Sequence, residues 1–147
     1  MNLRHQVDTI YRERDRSTDF ELSTERLIPI LKTLGGPIPA ELQEYLDTCI
    51  PTHSTDTGPV QFHGIDDLIC ENSEAVPGMD TIHQRMVCLA KDGGGDQFAF
   101  CIDERKVYHI DVEAGVDAAA TKRKSYASWA TIDAFLEWTI EQLRTDD

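Results

Sequence analysis

Residues 86–112 read MVCLAKDGGGDQFAFCIDERKVYHIDV, and the reading of this stretch decides the fold. Val, Ile, Phe and Tyr dominate three runs, 86–90, 97–102 and 107–112, which predicts three consecutive strands. The first two are joined by Lys91-Asp92-Gly93-Gly94-Gly95-Asp96, and adjacent glycines reach positive φ without a steric penalty, as a tight reversal needs. A register with Cys88, Phe100 and Ile110 in one cross-strand row, and Met86, Ile102 and Tyr108 in the next, lays both rows on the core face. That register sets Cys88 and Cys101 on opposite faces of adjacent strands, where a disulfide does not form easily.

The glycines could also suggest a phosphate cradle. Such a loop needs amide groups at a helix start, usually with a Lys and a Ser or Thr behind the glycines. Here an aspartate closes each end and a strand follows, so carboxylates would repel the phosphate. Asp92 and Asp96 also lack the alternating ligand spacing of an EF-hand. A hairpin turn is the reading.

Outward from this unit, the last helix is the clearest element. Ile132, Phe135, Leu136, Thr139, Ile140 and Leu143 form one stripe, Thr131 or Ser128 can cap it, and Trp129 and Trp138 are placed to seal it against the sheet. On the N-terminal side, Leu3, Val7, Ile10 and Tyr11 predict an amphipathic first helix, with charged residues on its other faces. A second helix is expected over 24–34, with Leu27, Ile28, Leu31 and Leu34 on one face and Pro29 near its start. Gly35-Gly36 ends it, and Pro39 opens a third helix whose apolar face is Leu42, Tyr45, Leu46 and Cys49. Residues 52–59 read as a polar loop, 60–63 as a short strand, 65–71 as a short helix and 72–80 as a loop with a Pro77-Gly78 turn. The 113–127 connection is polar, alanine-rich and holds the only basic run, Lys122-Arg123-Lys124, read as solvated.

The chain has 147 residues, near the usual size of one domain, and neither a repeat nor a linker divides residues 1–147. It has no apolar run long enough for a membrane span, and its first residues lack the apolar core of a signal peptide, so a cytoplasmic protein is expected. The formal net charge of −13 disfavours nucleic acid and anionic membranes as direct partners. It suits a basic protein partner, and it equally suits mere solubility.

Cys49, Cys70, Cys88 and Cys101 form no C-x-x-C pair, and the expectation is four buried, reduced thiols. The five histidines are isolated in sequence. Asp66-Asp67 could supply acid–base carboxylates but read more simply as acids at a helix start. No catalytic, metal or cofactor pattern stands out, and no enzyme activity or cofactor is expected. Asp92 and Asp96 at one end of the sheet, with Asp103 and Glu104 at the other, offer carboxylates on a rigid support and are the candidate partner-binding residues.

Leu34-Gly35-Gly36-Pro37-Ile38-Pro39 before a helix, the Asp92–Asp96 turn followed by Phe98-Ala99-Phe100 and Val107-Tyr108, and the closing Ile132-Asp133-Ala134-Phe135-Leu136 resemble the SUKH superfamily in order and spacing. That superfamily includes fungal cell-wall synthesis regulators and bacterial immunity proteins. The resemblance covers about residues 24–143, although Cys49-Ile50-Pro51 stands where the family often has Asn-Gly. It implies an α+β fold with a single antiparallel sheet and helices packed on it. It implies no catalysis. It points to an immunity protein that neutralises a cognate toxin domain, such as a nuclease or deaminase, inside the cell. The alternative is a general interaction or regulatory module of the same fold without a toxin partner. The shared residues are mostly glycines and apolar side chains, so no binding residue carries over.

Overall fold

In a computed structural model, which describes residues 2–145 apart from 15, 17, 23, 76–77 and 112–126, the fold is α+β. Six strands, β1 (Thr55–Asp56), β2 (Gln61–Phe62), β3 (Met86–Lys91), β4 (Gln97–Cys101), β5 (Lys106–Ile110) and β6 (Ala127–Trp129), form one antiparallel sheet in sequence order. The helices among the described residues are α1 (Leu3–Glu13), α2 (Ile28–Leu34), α3 (Ala40–Thr48), α4 (Ile65–Ser73), α5 (Gly78–Thr81) and α6 (Ile132–Thr145), with 3-10 turns at Glu25–Leu27 and Ile82–Gln84. No helix among the described residues is long and apolar enough to cross a membrane.

The three expected strands are present, but their register differs. Next to the turn, Lys91 faces Gln97 and Ala90 faces Phe98. A bulge at Leu89 then shifts the pairing by one, so that Val87, not Cys88, faces Phe100, and Met86 faces Cys101. Across β5, Phe100 faces Val107, and Val107 faces Trp129 on β6. One inserted residue reverses which side chains share a face. Val87, Leu89, Phe98, Phe100, Ile102 and Val107 join the main core with α1, α3 and α6. Met86, Cys88, Ala99, Cys101, Tyr108 and Ile110 form a smaller buried cluster on the other face.

Cys88 and Cys101 therefore lie on the same face, contrary to the expectation, as diagonal neighbours. Diagonal Cα atoms are roughly 7–8 Å apart, still beyond the reach of an unstrained disulfide. All four cysteines are free thiols, but Cys70 is exposed on α4 rather than buried. It falls on the solvent side of a helix whose inner face is Ile65, Leu68 and Asn72.

The α6 stripe is buried at every predicted position, and the Thr131 hydroxyl accepts the Ala134 amide at 2.9 Å as its cap; Ser128 lies in β6. Trp129 and Trp138 pack at 4.9 Å between ring centroids, and Phe98 and Phe135 meet at 4.9 Å, closing α6 onto the sheet. On α2 the buried face is Ile30 and Leu34 with Leu27 before it, whereas Ile28 is exposed, because Pro29 forces a 3-10 entry that rotates the stripe. Pro39 is the N-cap of α3 and not its first helical residue. Residues 52–59 hold β1 instead of a continuous loop, α4 runs on to Ser73, and α5 begins at Gly78 within the expected 72–80 loop. A Cβ at Gly78 would sit 1.8 Å from the Glu71 carbonyl, so this helix junction admits only glycine. Pro77 and the Lys122-Arg123-Lys124 run lie outside the described residues.

Two polar devices fix the elements. Glu41 and Glu44, one turn apart on α3, accept the Ile132 amide of α6 and the Leu3 amide of α1 respectively, the latter at 2.8 Å. Carboxylates at helix N-termini satisfy orphan amides and favour the dipole. The short β2 leaves part of the β3 edge uncovered. There the Asn72 carboxamide accepts the Cys88 amide at 2.7 Å and donates to the Cys88 carbonyl at 2.9 Å, as a neighbouring strand would.

Candidate functional site at the two ends of the sheet

The four candidate carboxylates fall on two turns at opposite ends of β4, and the structure does not bring the two pairs together. At the first end, Asp92 organises the β3–β4 turn. Its Oδ1 accepts the Gly94 amide at 2.9 Å and the Asp96 amide at 3.0 Å. Of the three glycines only Gly95, with φ of 93°, occupies the left-handed region. The Asp92 Oδ2 meets His109 Nε2 at 2.8 Å, and the His109 ring stacks on Phe98 at 4.3 Å. Both side chains are about a fifth exposed, at 23% and 18%.

Asp92, Asp96 and His109 bring three ligand-type atoms within 4.8 Å of one another. Two carboxylates and an imidazole could hold a divalent cation. Both Asp92 oxygens are engaged within the protein, by two amides and by His109. These interactions fasten the turn.

At the second end, Asp103 accepts from Arg85 Nε at 2.8 Å. The same guanidinium donates to the Leu34 carbonyl at 2.9 Å, to the Gly35 carbonyl and to the Pro37 carbonyl at 3.4 Å. Glu104 accepts from the Tyr108 hydroxyl at 3.0 Å. Around these acids stand the cations Arg85, Arg105 and Lys106, which outnumber them. Among the described residues the first end has the opposite balance: Lys91 stands beside Asp92, Asp96 and Asp111. Counted over the described residues the two ends thus differ in sign, a difference the carboxylates alone did not reveal.

The sequence reading passed over a buried polar chain beside the first turn. His63 and Gln97 are buried, at 1% and 2% exposed. Gln97 Nε2 donates to Glu71 and to the Gly95 carbonyl, both at 3.4 Å. Its Oε1 then accepts from His63 Nε2–H at 2.8 Å, which leaves His63 Nδ1 as a buried atom with no partner among the described residues. Burial lowers the His63 pKa below its ordinary value, against the opposing pull of the Gln97 hydrogen bond. The signal in sequence was a glutamine opening an otherwise apolar strand.

Among the other described residues no assembled nucleophile is found. The Ser54 hydroxyl bonds Asp67 and the Gly64 amide in a loop beside α4, and His53 lies next to it in sequence without joining that chain. Burial pushes Cys49 up to about 11 and Cys88 up to about 12, opposite to the shift that activates a thiolate. A scan against protein-family models and a search among curated proteins return no match.

Proposed function

We propose that the chain is an immunity protein of the SUKH type, which binds and neutralises a basic toxin domain such as a nuclease or deaminase in the cytoplasm. The observation that carries this reading is the acidic end of the sheet, in a chain of net charge −13. Asp92 is immobilised by two amides and His109, and Asp96 sits on the same stiff turn. A pre-organised carboxylate loses little side-chain entropy on binding. Enzymes that act on nucleic acids present basic clefts, onto which such an end can be steered. Asp103 and Glu104 are the weaker candidates, because neighbouring cations offset their charge.

The experiment is a pull-down with the product of the gene adjacent to this one, followed by an activity assay of that product. Stoichiometric capture with loss of the toxin's activity supports the reading. Capture without inhibition favours the general interaction module, and absence of capture removes the support for a toxin encoded alongside it.

A further inference from the structure

The second end of the sheet carries an inference that is independent of the toxin reading. Arg85, with φ of 63°, and Arg105, with φ of 56°, are the non-glycine residues in the left-handed region among the described residues. Both line one groove of about 520 Å³, with Pro37, Ile38, Pro39, Ala40, Ile102 and the Asp103 carboxylate as its other walls. A Cβ makes this backbone region unfavourable, and arginine lacks the short polar side chain that lets Asn or Asp offset it.

For Arg85 the structure supplies the compensation. Its guanidinium ties the segment 34–37 to Asp103, and no smaller residue could do so. Arg105 has no such return. Its amide donates to the Cys101 carbonyl at 2.8 Å, a bond that glycine would make equally well. Its exposed side chain has no hydrogen bond or ion pair to any described residue. The fold gives no reason for an arginine at this position, and strained residues of this kind cluster at functional sites.

We propose that this groove docks an acidic segment of a protein partner, with Arg105 pairing to a carboxylate and the Pro37–Pro39 wall receiving an adjacent apolar side chain. The chemistry of the walls supports that occupant. Arg85 is paired with Asp103, and Arg105 with the neighbouring Lys106 outweighs Glu104, so the local charge is positive on an otherwise acidic protein. A guanidinium fork matches a carboxylate bidentately. Pro37 and Pro39 bring no N–H, and the Leu34, Gly35 and Pro37 carbonyls already accept from Arg85, so this wall leaves few polar groups in need of a partner. Two prolines also make it stiff before binding. The volume lies within the range of ordinary ligand grooves.

The test uses the full chain, isotope-labelled, and a blocked pentapeptide alternating leucine and glutamate, at physiological ionic strength. Saturable shifts are expected at the Arg105 Nε–H and at the Ile38 and Ile102 methyls, and none with the glutamine counterpart of the peptide. Arg105→Gln keeps the backbone strain and should weaken binding by about tenfold or more. Arg105→Gly relieves the strain, so its Tm should rise while binding is lost. Equal binding of the glutamine peptide, or shifts unchanged in Arg105→Gln, would overturn the proposal. Concentration-dependent self-association lost in Arg105→Gln would overturn it too, by making a second copy the occupant.

Discussion

His63 shows how a single buried side chain can set a pH limit on the whole protein. The Gln97 amide is oriented by Glu71 and the Gly95 carbonyl, so His63 is held as a neutral tautomer with a bare Nδ1 in the interior. Protonating that nitrogen creates a buried N–H⁺ with nothing to accept it. In the unfolded chain the ring takes up a proton near its ordinary 6.5; in the folded chain it does so only at lower pH. Between those values the unfolded state binds more protons, so stability falls as pH drops through the window and is retained above it. Stability to urea in the wild type should weaken as pH falls below the ordinary 6.5 of the ring, and His63→Gln should flatten that limb. An equal acid loss in the variant would place the sensitivity elsewhere. The thiols give a second residue-scale outcome. Native protein should react with a thiol reagent at Cys70 alone, and denatured, non-reduced protein at all four cysteines. A missing thiol after denaturation would reveal a disulfide that this geometry does not contain.

Among the elements, β4 is a central strand, with partners on both sides and burial on both faces. Phe100 lies in the main core at 0% exposed, so Phe100→Ala should destabilise by about 3–5 kcal/mol in denaturant unfolding. An unmoved midpoint would mean that this strand is misplaced. The identity of the elements was legible in sequence wherever one face meets water. The α6 stripe alternates sharply with charged residues, and all six of its positions are buried as read. The register of β3–β5 was not legible for the same reason in reverse. Both faces of β3 and β4 are apolar, so alternation marks no inner side, and the bulge at Leu89 leaves no trace in composition. The turn carboxylates could be found from sequence, but their partners could not. Arg85 reaches Asp103 and the carbonyls of residues 34–37, and those groups meet only through the packing of the 3-10 turn against α2.

At the scale of the whole molecule, net charge decides how a basic partner would approach, and local charge decides where it lands. A chain of −13 attracts a basic domain at long range, and among the described residues the Asp92–Asp96 end combines a carboxylate surplus with a stiff turn. The opposite end carries Arg85, Arg105 and Lys106 and would turn such a partner away. Association with a captured toxin should therefore be fast at low salt, and its rate should fall by roughly tenfold or more as the Debye length contracts. Asp96→Lys should slow association, and Lys91→Glu, at the same end, should speed it. Asp103→Lys should change the rate less, since Asp103 is already offset by Arg85. Dissociation should respond less than association to these changes, because long-range charge acts on encounter more than on the formed contact. Stopped-flow mixing across a salt series measures each of these rates. A rate that is flat from low to high salt would rule out electrostatic steering, and the partner would then have to be held by apolar contacts. A larger response at Asp103 than at Asp96 would move the contact to the other end of the sheet.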